Sequence, residues 1–551
     1  LVYNLTQEIA MQRVKQAGAA MLALLSVWAI SVAAQTPEEA AALPAVERGD
    51  LARFRARAEA ALTANGAEKA YWGALIVDAQ TGETLYALNA GRYFRPASNI
   101  KLFTTTLALA TLGADFRTRT TIETTSTLES NGLLRGDLVL VGRGDANLSN
   151  RVFPFTGPGQ GERSGPTDKA LAELADQVVA HGVKQIRGDI VADDSYFVLV
   201  RYPSGWTVDD TVWSYGTAVS AIAVNDNVLS LEVRSGARIG SMARVSWDPW
   251  PGPYSARVET RTVAKGTADA MLSLARDPES KVFVLGGTVE MGAPVRKLSV
   301  AVPEPAELAA AQLKRLLEVR GVRITGESRA HHASAAGESS RVEASQILAQ
   351  RFSPTLLEDV RLTNKLSDNL HSELMLRVAG KEKAGAETME DALKFAAQFY
   401  ESIGLVPSEV AQADGSGLSR SNLVTPQSVV NILSFAATQT WGEAFAATLP
   451  VVGVDGTLEY RMRNTAAAGR VRAKTGTING TAGFSGYATT RSGQRLIFSF
   501  FGNNNAGTSR DSSAVLDALA IAMVEEFGTE AVSSGTELVP ELTREAVRSQ
   551  P

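Results

Sequence analysis

Cysteine is absent from this 551-residue chain. That excludes thiol catalysis, disulfides and thiolate-held metal in one step. Histidine is scarce: His181, His331, His332 and His371 are the whole set, and none stands in an H-E-x-x-H arrangement. A histidine-rich metal site is therefore not expected, and no cofactor is implied. The sequence also lacks any G-x-S-x-G, the turn on which many serine hydrolases mount their nucleophile. Basic residues are not in excess: 54 Lys and Arg face 59 Asp and Glu, a net charge of −5, which argues against a nucleic-acid partner. Beyond the amino-terminal region no run is long and apolar enough to cross a bilayer.

What is present begins with a targeting pattern. Arg13 and Lys15 precede the uncharged stretch 16–36, centred on "AAMLALLSVWAISVAA", and small residues at Val32 and Ala34 suit cleavage before Gln35. Met11 is a plausible start. The reading is a signal peptide over 1–34, an exported mature protein without a stable membrane anchor, and a periplasmic or other extracytoplasmic location.

A chain of this length needs several hydrophobic cores. Residues 71–86, "YWGALIVDAQTGETLY", read as a hairpin turning at Gln80–Gly82, and a helix follows Pro96 and stops at Gly113. From about 117 to 302 short β-rich runs alternate with Gly, Pro, Asn and Asp. Helical texture resumes over 354–403, and the stretch 469–504 reads as a closing hairpin before a last helix ending at Gly528. The expected architecture is α/β (α+β): a first and a last segment completing one sheet, split by a long β-rich insertion. The tail 529–551 is polar.

Three short motifs bear chemistry. Ser98 and Lys101 form S-x-x-K at the start of a helix, where positions i and i+3 share a face, so an amine can reach a hydroxyl. A serine hydroxyl needs such a base, and a lysine serves when burial lowers its pKa. Taken alone the pattern is common by chance, and a serine near a helix start is often only a cap. Ser367, Asp368 and Asn369 then give S-D-N, and Lys474, Thr475 and Gly476 give K-T-G in a strand-like segment.

S-x-x-K, S-D-N and K-T-G in this order resemble the signature set of penicillin-binding proteins and active-serine β-lactamases. The resemblance implies Ser98 as nucleophile, Lys101 as its base, Ser367 and Lys474 as the proton relay to the leaving amine, and Asn369 holding Lys101 or a substrate amide. Thr475, Gly476 and Thr477 would line the substrate strand. The backbone amides of Ser98 and Thr477 would form an oxyanion hole.

The long gap between Ser98 and Ser367 narrows the resemblance to the class C low-molecular-mass penicillin-binding proteins, the DacB-type D-alanyl-D-alanine carboxypeptidase/endopeptidases (the penicillin-binding protein 4 family). "GRGDANL" at 142–148, "GDIVADDSYF" at 188–197, "YGTAVSAIAVNDN" at 215–227 and "DGSGLSRSNLVTP" at 414–426 are further matches. The family pattern implies a catalytic domain over 35–117 and 347–528, an inserted domain over 118–226 and 303–346, and a nested one over 227–302. It implies cleavage of D-Ala–D-Ala and D-Ala–diaminopimelate bonds in peptidoglycan stem peptides, with β-lactams as covalent inhibitors. Arg420 is expected to meet the diaminopimelate carboxylate and Asp193 its ammonium, with Phe197 and Ile478 lining that pocket. A β-lactamase or esterase of the same fold, and a non-catalytic wall-binding protein, stand as alternatives.

Overall fold

The computed structural model describes residues 48–157, 162–268, 270–333, 346–506 and 509–528. The expected signal peptide and polar tail lie outside the described residues. Among the described residues no helix is long and apolar enough to cross a membrane.

One antiparallel sheet is built from both ends of the chain. Its strand order is Thr84–Leu88, Tyr71–Asp78, Arg495–Asn503, Thr481–Thr489, Val471–Ile478. The join between the two ends is Tyr71–Asp78 against Arg495–Asn503, paired over eight residues from Tyr71↔Asn503 to Asp78↔Leu496. The central strands are apolar on both faces because both faces are covered. Along Arg495–Asn503, Leu496, Phe498 and Phe500 enter one core with Phe54, Leu519 and Met523. Ile497 and Phe501 enter the other, with Phe103, Leu107 and Val429. The first core is roofed by Gly49–Thr63 and Ser509–Glu526, the second by Ile100–Leu112 and Pro426–Thr438. Two helices meeting at Ser367, Leu356–Leu366 and Asn369–Ala384, complete this layer.

The chain between these segments forms several further sheets. The largest sheet runs Ser328–Ala333, Ile190–Val198, Leu138–Val141, Arg119–Thr124, Gln346–Phe352. Helices Lys169–Ala180 and Pro305–Val319 pack onto it through Leu171, Leu174, Leu313 and Leu317. The first of these helices was not expected from the sequence. Gln346–Phe352 was expected to open the second outer segment at 347. It instead pairs with Arg119–Thr124, and Leu348 and Ala349 are buried in the inserted core. Within this insertion, strands from Val228 to Ala301 gather around a separate cluster of Leu229, Leu231, Val233, Phe283 and Leu285.

Candidate active site

The serine of S-x-x-K sits in a short 3-10 turn, Ala97–Asn99, that runs directly into the helix Ile100–Leu112. Ala97 adopts φ 46°, a left-handed conformation that costs a non-glycine residue energy and persists only where the surroundings hold it. Two neighbours do so. A side chain on Gly417 would lie 1.9 Å from the Ala97 carbonyl oxygen, and one on Gly476 would lie 2.5 Å from that of Pro96. The K-T-G glycine was expected to line the substrate strand. What it admits in the structure is the turn carrying Ser98.

Lys101 is fully buried and its amine donates three hydrogen bonds: to Ser98 Oγ (2.9 Å), Asn369 Oδ1 (2.6 Å) and the Ser416 carbonyl (2.6 Å). Burial draws its pKa down to about 8, against the raising pull of Asp414, Asp368 and Glu373. An amine in this state is free base for a useful fraction of time near neutrality.

The S-D-N residues are the joint between two helices. Ser367 caps the first helix in a left-handed conformation (φ 61°), Asp368 caps the second by accepting from the His371 amide, and Asn369 opens that second helix. Ser367 Oγ accepts from Lys474 Nζ at 2.8 Å, while Asn369 Nδ2 donates to the Tyr215 carbonyl at 2.7 Å. Lys474 is fully buried, and desolvation followed by the charge of Lys101 holds it well below the ordinary lysine range. Two buried amines so placed do not both carry a proton readily. Thr475 is half-buried and shares a 2.8 Å hydroxyl contact with Thr457, Thr477 is exposed, and Ile478 ends the strand half-buried.

Several contributors carry no sequence signal of their own. Lys365 Nζ donates to Asp455 (2.6 and 2.7 Å) and to the Leu449 carbonyl (2.7 Å), tying the Ser367 turn to the loop that bears Thr457. In "VNDN", residues Asn225, Asp226 and Asn227 all have positive φ, which turns Asp226 toward His371 Nε2 (3.3 Å). His371 also meets Asp359 through Nδ1 at 2.5 Å, and Arg151 and Arg163 clamp Asp226. Burial works against protonation of His371, but Asp359, Asp368 and Asp226 outweigh it and lift the pKa to about 10. This charged network fastens the insertion to the helix that begins with Asn369.

Arg420 pairs with Asp210 at 2.9 Å. The expected partners of Arg420 are elsewhere. Asp193 is buried inside the strand Ile190–Val198, where Oδ1 accepts from the Ser195 amide. Phe197 is buried against Ala146, Leu370 and Val378. The Asp193 Oδ2 is buried without a hydrogen-bond partner among the described residues, and packing against the helix Asn369–Ala384 accounts for the phenylalanine. Both side chains are buried. Among the described residues no cluster of acids and histidines suits a metal ion.

A hydroxyl and an amine on one helical turn, a second hydroxyl–amine pair facing them, and an edge strand alongside define an active-serine hydrolase in which lysines take the place of an imidazole base. The chain belongs to the D-Ala-D-Ala carboxypeptidase 3 (S13) family, whose profile matches residues 55–523. It is a serine-type peptidase acting on peptidoglycan. The D-alanyl-D-alanine carboxypeptidase of Actinomadura sp. (strain R39) is 34% identical over 492 residues, 87% of this chain and 86% of that protein. The carboxypeptidase DacB of Haemophilus influenzae is 25% identical over 424 residues, 75% and 81% of the two chains. The crystal structure of penicillin-binding protein 4 (dacB) from Haemophilus influenzae superposes with a TM-score of 0.71 at 21% identity, covering 85% of this chain and 98% of that one.

Proposed function

We propose that the protein is an exported D-Ala-D-Ala carboxypeptidase that also opens D-alanyl–diaminopimelate cross-links, and that β-lactams acylate it. The observation that carries this reading is the convergence of two buried amines on two hydroxyls, Lys101 on Ser98 and Lys474 on Ser367. Ser98 Oγ attacks the carbonyl carbon of the penultimate D-Ala while Lys101 takes its proton. The oxyanion is met by the amides of Ser98 and Thr477. The C–N bond then breaks, and a proton reaches the leaving amine through Lys474 and Ser367. Water next attacks the Ser98 ester, and the serine regains its proton as the acid is released. Lys474, Thr475 and Thr477 receive the terminal carboxylate of the substrate. A fluorescent penicillin tests the reading: a label that persists on the wild-type protein supports it, rapid loss of label favours a β-lactamase, and no label favours a wall-binding protein. Mass spectrometry of products from monomeric and cross-linked muropeptides then separates the two cleavages.

Substrate choice is placed at Arg420. Its guanidinium and the Asp210 carboxylate, with Asp209 beside it, offer both charges that the end of a diaminopimelate side chain requires. Arg420→Ala is expected to lower kcat/KM on a diaminopimelate-containing peptide roughly 10- to 150-fold, corresponding to about 1.5–3 kcal/mol for a hydrogen bond to a charged group. Penicillin acylation, which has no such group to bind, should stay within about threefold of wild type. Equal losses on both substrates would mean that Arg420 supports the loop and not the side chain of the substrate.

The residues between Asn227 and Val302 are proposed to form a nested unit with its own core. Its entry and exit strands are hydrogen-bonded neighbours, Val228 opposite Ala301, and the Val302 amide donates to the Asn227 carbonyl at 2.9 Å. Asn227 itself holds the Ala218 carbonyl through Nδ2, so a clean excision spares it and removes 229–300. That shortened chain is expected to unfold cooperatively and to take a penicillin label, since an inserted unit with adjacent ends leaves its host intact. Loss of both properties would show that the block is part of the host core.

A further inference from the structure

Close enough to act on Lys101, two carboxyl groups are fully buried: Glu373, one helical turn beyond Asn369, and Asp414, in the loop that carries Ser416. Asp414 is saturated with donors. Its two oxygens accept from the amides of Gly417 and Ser419, from Asn422 Nδ2, from Trp206 Nε1 and from Ser416 Oγ. Glu373 is not. Its Oε1 accepts from the Ser416 amide at 2.9 Å, and its Oε2 is buried with no hydrogen-bond partner among the described residues. A buried polar atom left unpaired is costly and calls for an explanation. Ser416 is the residue whose carbonyl receives the Lys101 amine, so Glu373 and Lys101 grip the same residue from opposite ends.

We propose that Glu373 is a positioning residue of the acylation step, holding Ser416 so that its carbonyl orients the Lys101 amine, and supplying the negative charge that governs how readily that amine releases its proton. The inference rests on the reading of Ser98 and Lys101 as nucleophile and base. The groups that face this pair are few. Lys101 senses Asp414, Asp368 and Glu373 as raising influences, and Lys474 stands beyond it. Glu373 senses Asp414, and Arg377 one turn along its own helix. Burial first, and then Asp414, push the Glu373 carboxyl up to about 7, so it gains and loses its proton in the range where the enzyme must work. A negative charge on Glu373 raises the pKa of Lys101, as do those of Asp414 and Asp368, and so opposes release of its proton. The base is thereby held back from titrating too early despite its complete burial.

The test is the pH dependence of acylation by a fluorescent penicillin, measured on the full chain for the wild type, Glu373→Gln and Glu373→Asp. Glutamine keeps an acceptor for the Ser416 amide and loses the charge. Its acidic limb should move down by about one pH unit, which raises the rate relative to plateau roughly tenfold at pH values below the limb. Aspartate keeps the charge and shortens the reach, so its limb should stay in place while the plateau falls. A limb unmoved in Glu373→Gln overturns the proposal, as do equal displacements in both variants. A wild type that is never acylated removes the serine reading itself. Should Glu373→Gln fail to fold, infrared spectra of wild-type protein with ¹³C-labelled glutamate decide. A protonated glutamate band lost as the pH passes about 7, and altered by penicillin, supports the inference, and its absence overturns it.

Discussion

Ser98→Ala yields a folded protein that neither hydrolyses stem peptides nor gains the mass of penicillin. Removal of the nucleophile from a covalent mechanism lowers kcat on the order of 10⁶-fold, leaving only what binding and the oxyanion site provide. The structural cost is small. Ser98 is half-buried, and its hydroxyl meets the Lys101 amine, which keeps Asn369 Oδ1 and the Ser416 carbonyl when that hydroxyl is gone. One lost hydrogen bond of this kind is worth about 1 kcal/mol, so the melting temperature should shift by only a few degrees. Intact-mass spectrometry after incubation with penicillin, beside a thermal melt, makes the check. A penicillin adduct on the alanine variant would show that acylation occurs elsewhere.

The parts of this site that could be read from the sequence are those whose geometry is local. S-x-x-K places a hydroxyl and an amine on one helical turn whatever surrounds it. S-D-N is legible for a similar reason, as a left-handed cap followed by an N-cap between two helices. The parts that could not be read arise where distant segments meet. The Ser416 carbonyl is backbone and has no residue signature, yet it takes one of the three hydrogen bonds of Lys101. The acid that pairs with Arg420 could not be read because the chain contains adjacent aspartates twice, at 193–194 and at 209–210, and only the folded chain brings Asp210 to the arginine. Gly476 brings its strand against the turn at Pro96, a contact between segments far apart in sequence that the motif alone does not announce.

The same division holds for the fold. The joining of the two ends of the chain into one sheet was legible because its strands are apolar runs bounded by turn residues. The helix Lys169–Ala180 carries a helical stripe of Leu171, Leu174, Ala175 and Val178, all buried, so its signal was present but lay inside a region whose texture is otherwise β-rich. Gln346–Phe352 has the composition of a strand but nothing that names its partner. Pairing with Arg119–Thr124 was settled by Leu348 and Ala349 entering the inserted core.

Lys101→Met should lower penicillin acylation by about 10³-fold or more, the scale of a positioned general base, and should abolish the acidic limb expected from a Lys101 amine whose pKa is drawn down to about 8. Methionine fills a similar length and removes the amine. Asn369 Oδ1 and the Ser416 carbonyl are then left without this donor, at about 1–3 kcal/mol each, while a buried amine of lowered pKa is no longer accommodated, so the two effects oppose one another in stability. The variant also separates the roles of the two lysines. Lys474 is buried as deeply, but it donates to Ser367 and to the Thr475 carbonyl, on the side where the leaving amine and the substrate carboxylate are placed. Lys474→Met should therefore weaken capture of carboxylate-bearing substrates and retard departure of the amine, yet retain the limb set by Lys101. Measuring acylation rate against pH for the three proteins makes the assignment. If Lys101→Met keeps the limb and Lys474→Met loses it, the proton of Ser98 leaves by way of the K-T-G lysine, and the 2.9 Å contact between Lys101 and Ser98 serves only to orient the serine.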